Sequence, residues 1–497
     1  MRVIYVDVDS MRPDHLGCYG YHRATSPNLD ALAARSVVFD RYYCSDSPCL
    51  PSRAALSSAR FGISNGVIGH FGQAGRYRLE PGHGPDPSHP LLGQQLGASG
   101  YYTASVSMFA ERHRAYWFYG NFREMIRASS ELNDEAADAI NGRAFEWLER
   151  HAAEDNWFLH LNYWEPHTPY IQDPEWTAKA AGLGPAGPWP DEATIAAHQD
   201  IYGAHSARDL FYMGWMDRVM APPMPENMPQ AIRSRADYEH LLNGYDGAVL
   251  YWDSQFGALM AKLAELGIAQ DTAIIVSADH GESMGENGQY AEHGLANEPT
   301  HHVPLVVFWP GVTESLPQQA RRSDALLYNI DLAPTLCDLL ELEASSGWQG
   351  ESFAAGVRGE QLTSRTHLVF GHGAHSYQRA VRTKTHLYMR TYHPGAFKIG
   401  WELLFDVAAD PFLTRNLIDE KPQLAQELRG TLQQWWSQQA GMPGSLPDPM
   451  QTTINPGPVF YTPPERYMRH LEREGRHQDA EDLAKRLGTA ATAPAFF

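Results

Sequence analysis

The sequence predicts an α/β fold: a mostly parallel sheet flanked by helices, with a smaller antiparallel sheet toward the C-terminus. Three observations predict it. Near-continuous apolar runs such as Arg2-Val-Ile-Tyr-Val-Asp-Val-Asp9 and Thr272-Ala-Ile-Ile-Val-Ser-Ala278 read as parallel strands buried on both faces. Helical stretches alternate with such runs along the first part of the chain. From about Thr366 short strands with turns between them take over, the pattern of an antiparallel sheet.

The elements follow in order. Arg2–Asp9 is a strand that ends in carboxylates, and Ser26-Pro-Asn-Leu-Asp30 opens a helix running to Arg35. Val37 to Tyr43 returns to strand. In Cys49-Leu-Pro-Ser-Arg53 the proline disfavours helix at Leu50, so a helix is expected from Ser52 onward. Phe61 to His70 is a glycine-rich loop and Arg76 to Pro90 a second loop. Leu91–Ser99 is a helix, Tyr101–Val106 a strand, Glu131–Ala152 a long helix and Asn156–Tyr163 the next strand. Residues 171–235 have weaker periodicity and read as an excursion near the site. Tyr238–Leu266 is a second long helix, Thr272–Ala278 a central strand, Val303–Trp309 another strand, and Asn329–Leu336 opens a helix. Short strands at 367–370, 377–382, 386–390 and 402–405 build the antiparallel sheet, closed by a helix from Pro422 to Gln439. Three units are expected: 1–365, 366–440, and a Pro-rich extension with one charged terminal helix over 441–497.

The chain has 497 residues and a formal net charge of -20, with 43% hydrophobic residues. That length supports a large core. The charge argues against a general nucleic-acid or anionic-membrane surface, because phosphates need basic patches. Any anionic substrate must find positive charge within the site. Four cysteines, Cys18, Cys44, Cys49 and Cys337, give no disulfide framework. No apolar run is long enough to span a membrane. The first residues read directly as strand, so a cytoplasmic location is the expectation.

Two strand ends carry ligands for a hard cation. Asp9 follows the first, with Asp7 two residues earlier on the same face, and Asp279-His280 follow the second. Carboxylates with one imidazole suit Ca²⁺, Mg²⁺ or Mn²⁺. Between them lies Cys49-Leu-Pro-Ser-Arg53, a nucleophile candidate at a helix start with a guanidinium beside it, an arrangement suited to a tetrahedral oxyanion.

Together these residues resemble the type I, formylglycine-dependent sulfatases of the alkaline phosphatase superfamily. Cys49, Pro51, Ser52 and Arg53 match the signature Cys-x-Pro-Ser-Arg. Asp9-Ser-Met-Arg-Pro-Asp-His-Leu-Gly-Cys-Tyr-Gly20, Pro166-His-Thr-Pro-Tyr170 and Asp279-His-Gly281 resemble further motifs in the same order, as do Val303–Gly311 and Leu404–Leu417. The resemblance implies an alkaline-phosphatase-like fold over residues 2 to about 440 and hydrolysis of sulfate esters. It implies that a maturation enzyme oxidises Cys49 to Cα-formylglycine. One hydroxyl of the hydrate then attacks sulfur, and the second later expels sulfate. Asp9, Asp279 and His280 fall on metal-ligand positions, for one divalent cation, Ca²⁺ first and Mn²⁺ or Mg²⁺ as alternatives. Where relatives often carry a second Asp or an amide, this chain has Ser10, so Asp7 and Ser10 are further candidates for the shell. Arg53 stabilises the ionised nucleophile. His70 is a candidate to orient the diol, with a structural role in its glycine loop as the alternative. His167 matches the histidine that contacts the sulfate or leaving oxygen. Many relatives place a lysine after the Asp-His motif. This chain has none there, which leaves His293 or His302 to take its place. The aromatics Trp117, Tyr163, Trp164 and Trp215 are candidates to line a sugar or aryl pocket.

The expected substrate is a small sulfated organic molecule, with a sulfated carbohydrate preferred, and the C-terminal extension is a candidate surface for self-association. Two alternatives stand beside this reading. One is a phosphonate monoester or phosphodiester hydrolase of the same superfamily. The other is a non-catalytic protein that binds anionic glycans with Cys49 unmodified.

Overall fold

The strand Arg2–Val8 lies at the centre of an eight-stranded sheet, between the parallel strands Trp157–Tyr163 and Thr272–Ala278. The strand order is Arg322–Ser323, Val37–Phe39, Leu305–Phe308, Thr272–Ala278, Arg2–Val8, Trp157–Tyr163, Tyr102–Val106 and Glu124–Ile126. The computed structural model describes all residues except 79–87, 130–134, 211–224, 443–444, 446, 456, 459–463 and 488–497. Every residue of Trp157–Tyr163 and Thr272–Ala278 is buried, as strands covered on both faces require. The main core unites these strands with the helices Pro27–Ala33, Ala137–His151 and Arg235–Glu265.

Two expected strands are interrupted. Val303–Trp309 divides at Pro304 into His302–Val303 and Leu305–Phe308, because proline has no N–H to continue a ladder. Leu305–Phe308 runs antiparallel to Thr272–Ala278, so the large sheet is mixed at this side. Val37–Tyr43 likewise divides into Val37–Phe39 and Tyr42–Tyr43.

The helix that opens at Pro27 has no cap from Ser26. Its first N–H groups, Asn28 and Leu29, instead donate to the Asp253 carboxylate at 3.0 and 2.9 Å, across from the long helix Arg235–Glu265. The helix expected from Glu131 begins at Ala137, and residues 131–134 fall outside the described residues. Part of the Arg76–Pro90 loop, Gly444 of the Pro-rich connector and Thr462-Pro463 fall outside them as well. The 171–235 excursion contains the helices Pro174–Ala181 and Glu192–His198.

The antiparallel sheet orders Glu402–Asp406, His386–His393, Tyr377–Thr383 and His367–His372, and gains a fifth strand, Asp46–Ser47, parallel to the last of these. The two residues just before Pro48 and Cys49 are thus held by the C-terminal sheet. The helix Pro422–Ala440 seals the sheet with Leu428 and Leu432 against Val369, Val381 and Leu404. The single terminal helix expected from the sequence is two, Pro464–Arg473 and His477–Leu487. They separate at Gly475, whose φ of +75° is left-handed and breaks the helix. Tyr467, Leu471 and Leu483 pack in the same apolar cluster as the chain's own Tyr202 and Phe397. Among the described residues no helix is long and apolar enough to cross a membrane.

Candidate active site

Parallel pairing sets Val8 level with Ala278, so the residues that follow, Asp9 and Asp279, leave adjacent strands side by side. Ligands gather at the carboxyl ends of parallel strands for this reason. A carboxylate oxygen of each, His280 and the Cys49 sulfur all lie within 4.8 Å of one another, and all are buried. Cys49 Sγ is 3.1 Å from His280 Nε2. The opposite ring nitrogen, Nδ1, donates to the Gly281 carbonyl at 2.8 Å, which leaves the Nε2 lone pair facing the cluster. Gly281 admits no side chain: a Cβ there would sit 2.1 Å from the Pro299 carbonyl oxygen.

Cys49 opens the helix Cys49–Ser58, three residues earlier than the sequence suggests. Pro51 is tolerated because N–H groups of a first helical turn have no intrahelical partner to lose. The turn is secured from outside. Leu50 N–H donates to His70 Nε2 at 3.3 Å, and Ser52 Oγ donates to the Asp279 carbonyl at 2.6 Å. Asn329 Nδ2 donates to Ser52 O at 3.2 Å. The motif serine therefore ties the cysteine's helix to the strand end that carries Asp279.

Arg53, one turn along, faces three carboxylates. Its Nε is 2.7 Å from Asp7 Oδ2, and Nη1 is 3.1 Å from Asp9 Oδ2 and 2.6 Å from Asp279 Oδ2. Burial alone would lower the guanidinium's pKa, but Asp279, Asp7 and Asp9 outweigh it and hold Arg53 charged. Three buried carboxylates around one guanidinium leave two negative charges uncompensated. Burial pushes the Asp279 carboxyl up, with Asp9 adding to the rise. A divalent cation held by Asp9, Asp279 and His280 would neutralise that excess, and the donor set suits a hard ion. Asp7 stands behind this set, bound by Arg53 and by His160 Nε2 at 3.1 Å. Ser10 orients the carboxylates: its N–H donates to Asp279 Oδ1 at 3.2 Å and its hydroxyl to Asp9 Oδ1 at 3.3 Å.

The histidines divide. The His293 ring lies 4.4 Å from the His280 ring and 5.2 Å from that of His167, and His293 groups with Cys49 and His280. His167 donates from Nδ1 to the Thr168 carbonyl, which leaves Nε2 as an acceptor, and stacks on Trp164 at 3.9 Å. Burial holds His70, His167 and His293 below the ordinary imidazole range. The engagement of His70 Nε2 with Leu50 makes His70 a cap of the helix that Cys49 opens. His302 is turned out of the cluster: its Nε2 bonds the Asp40 carbonyl at 2.8 Å and its ring stacks on Tyr43 at 4.8 Å. Strand pairing with Tyr43 fixes it there, and of the two histidines it is His293 that lies beside Cys49 and His280.

The structure adds residues that sequence reasoning passed over. Arg112, at the end of the short helix Phe109–Arg112, has Nη1 4.0 Å from Asp9 Oδ2 and its guanidinium 3.5 Å over the Trp164 ring. Its Nη2 pairs with Glu135. Burial lowers its pKa to about 10, still cationic at neutral pH. His113 follows, its ring 4.8 Å from that of His70. The available signal was position: both follow the carboxyl end of the strand Tyr102–Val106. Of the candidate aromatics, Trp164 reaches the site. Tyr163 donates to Asn141 in the core, Trp117 stacks on Tyr77, and Trp215 falls outside the described residues.

The sulfatase family profile matches residues 2–342, and the C-terminal profile of N-sulphoglucosamine sulphohydrolase matches 285–439. Human (Homo sapiens) iduronate 2-sulfatase is 25% identical over 374 residues, which covers 68% of this chain and 65% of that enzyme's length. Among solved structures, BT4656 in complex with D-glucosamine-2-N,6-O-disulfate superposes with a TM-score of 0.67 at 19% identity, covering 88% of this chain and 97% of that one. The phosphonate monoester hydrolase of Agrobacterium radiobacter superposes with a TM-score of 0.65 at 18% identity, covering 88% and 95%.

Proposed function

The chain belongs to the sulfatase family of the alkaline phosphatase superfamily, and from that premise we propose that it is a sulfuric ester hydrolase whose reaction is centred on Cys49. The observation that carries this reading is the buried group of Asp9, Cys49, Asp279 and His280, within 4.8 Å of one another, with Arg53 bound to both carboxylates.

In this reading Cys49 is the precursor of formylglycine. The hydrated aldehyde supplies one hydroxyl as nucleophile and a second for release of sulfate, and a divalent cation, Ca²⁺ in preference to Mg²⁺ or Mn²⁺, supplies polarisation of the sulfuryl oxygens. Asp9, Asp279 and His280 would hold that cation. Arg53 keeps the carboxylates aligned and offers positive charge to the ionised nucleophile. Arg112 faces the same space and receives the sulfuryl oxygens, while His167, whose Nε2 is an acceptor, would accept from the hydroxyl of the departing alcohol. Arg112 supplies fixed positive charge there, its guanidinium positioned by Trp164 and Glu135. His293, which burial keeps neutral in the free site, would take up a proton with the anionic ester and pass it to the leaving oxygen.

Charge supports a monoanionic ester. Asp7, Asp9 and Asp279 balance Arg53 and a divalent cation, and Arg112 is paired with Glu135. A sulfate ester adds one negative charge to this near-neutral site, a phosphate monoester dianion adds two. The likeness to an iduronate 2-sulfatase and to a protein that holds D-glucosamine-2-N,6-O-disulfate as its substrate supports a sulfated sugar. A phosphonate monoester carries the same single charge, and the likeness to a phosphonate monoester hydrolase keeps that reading as the alternative. Turnover of 4-nitrophenyl sulfate compared with 4-nitrophenyl phenylphosphonate by the same preparation tests the proposal. A kcat/KM for the phosphonate that exceeds the one for the sulfate would reverse the assignment.

A further inference from the structure

Away from Cys49, the C-terminal sheet and the helix Pro422–Ala440 enclose a cleft of about 580 Å³, within the size range of ligand sites. Its floor is a buried ion pair: Arg379 Nη1 and Nη2 lie 2.7 and 2.8 Å from the two oxygens of Asp448. Trp436 Nε1 donates to the same carboxylate at 2.9 Å, which fixes the indole as a wall. At the mouth, Arg429 holds Glu402 with two hydrogen bonds, Nε at 2.7 Å and Nη2 at 2.8 Å. Arg390 reaches the same carboxylate only through Nη1 at 3.3 Å and makes no side-chain hydrogen bond among the described residues. Three guanidiniums thus share two carboxylates, and the least committed of them stands at the opening, 39% exposed. This is a cationic, aromatic-walled cleft on a chain whose net charge is -20.

We propose that this cleft is a second anion site that binds a sugar unit bearing a sulfate or carboxylate group, separate from the reaction centre. An indole wall suits the apolar face of a sugar ring, and the Arg390 N–H donors that no group among the described residues holds, open to solvent, suit a tetrahedral or planar anion. The cleft's preference for anions stands on its own residues. The saccharide part rests on the reading of the chain as a sulfatase of sulfated sugars. A substrate chain held here gains by effective concentration at the reaction centre whenever its length spans both sites.

The test uses the full chain carrying Cys49→Ala, so that no turnover intervenes, and titrates it by calorimetry with a heparin-derived hexasaccharide, with maltohexaose and with inorganic sulfate. The expected result is hexasaccharide binding that weakens at least tenfold with Arg390→Glu, no binding of maltohexaose, and sulfate binding far weaker than the hexasaccharide. Arg390→Gln, which removes the charge and keeps a polar, uncharged side chain, distinguishes loss of charge from misfolding, and should weaken binding with an unchanged melting temperature. Equal hexasaccharide affinity in the parent and both Arg390 variants would overturn the site. Competition by sulfate at concentrations equal to those of the hexasaccharide would reduce it to a simple anion site and overturn the saccharide assignment. Failure of the unmutated enzyme to hydrolyse any sulfate ester is a separate result: it sinks the sulfatase reading while leaving the binding measurement to judge the cleft.

Discussion

The sulfur of Cys49 lies 3.1 Å from Nε2 of His280, the imidazole nitrogen that faces both strand-end carboxylates. A cysteine this buried has its thiol pKa pushed well up, first by burial and then by Asp9 and Asp279, so the encoded side chain is a poor nucleophile. Cys49→Ala is therefore expected to abolish sulfate ester turnover at a folding cost of only about 1 kcal/mol, since one small side chain is lost from a packed site. Mass spectrometry of the peptide spanning Cys49, from protein made in its native host, should read about 18 Da below the cysteine form, the composition change from thiol to aldehyde. An intact thiol in fully active protein would refute the formylglycine assignment.

The charge excess around Arg53 predicts how stability responds to metal. Adding Ca²⁺ to chelator-treated protein should raise Tm, because an ion that binds only the folded state stabilises it by mass action, about 2.7 kcal/mol at a hundredfold excess over Kd. Asp279→Asn removes a ligand and one of the uncompensated charges. It should lose both the Ca²⁺-dependent shift and activity while remaining folded without metal. A Ca²⁺ response of full size in Asp279→Asn would place the cation elsewhere.

Arg112 sits over Trp164 with its Nη1 4.0 Å from Asp9. As a contact to the sulfuryl oxygens it should matter more in the transition state than in binding. Arg112→Ala is expected to lower kcat/KM on the order of 10²-fold, mainly through kcat. Arg112→Lys keeps charge but neither the planar fork nor the stack, and should recover only part of the loss. A change confined to KM would make Arg112 a ground-state binding residue.

Much of this centre was legible because its ligands follow patterns set by local physics. Asp9 and Asp279 end apolar strands, and the Cys49–Arg53 motif is contiguous. What was not legible depended on tertiary placement. Arg112 ends a helix of four residues with no periodic signal, and only the parallel neighbour strands bring it to Asp9. His293 and His302 are similar in sequence context, and the pairing of His302–Val303 with Tyr42–Tyr43 separates them. The helix start at Cys49 was hidden because proline reads as a breaker, though in a first turn it costs no hydrogen bond. The strand Asp46–Ser47 is too short to announce that it belongs to the C-terminal sheet.

Acid stability should depend on a pair that joins the two sheets' neighbourhoods. Arg382 holds Glu298 by Nε at 2.6 Å and Nη2 at 2.9 Å, and Tyr43 donates to it at 2.7 Å. Burial would raise the Glu298 carboxyl, but Arg382 outweighs it and brings it from 4.5 down to about 2. A folded pKa below the unfolded one contributes stability above pH 4.5 that is lost as pH falls from there toward 2, at most roughly 3 kcal/mol. Glu298→Gln should cost about 3–5 kcal/mol at pH 7, where it leaves Arg382 buried without its partner. Urea midpoints measured from pH 7 to pH 3 should show the parent and Glu298→Gln converging below pH 4.5. Parallel profiles would mean that this pair does not contribute to acid lability.

His293 is the remaining candidate for general acid, with its ring 4.4 Å from His280 and 5.2 Å from His167. A general acid matters in proportion to the basicity of the oxygen it protonates. His293→Ala should therefore slow alkyl sulfates, whose leaving oxygens are strongly basic, by about 10²–10⁴-fold, and slow 4-nitrophenyl sulfate far less. A plot of log kcat/KM against leaving-group pKa should steepen in the variant. His302→Ala, whose ring bonds the Asp40 carbonyl away from the cluster, should leave that slope unchanged. The opposite pattern, a steepened slope in His302→Ala with His293→Ala unaffected, would require that residues 301–303 move into the site on substrate binding.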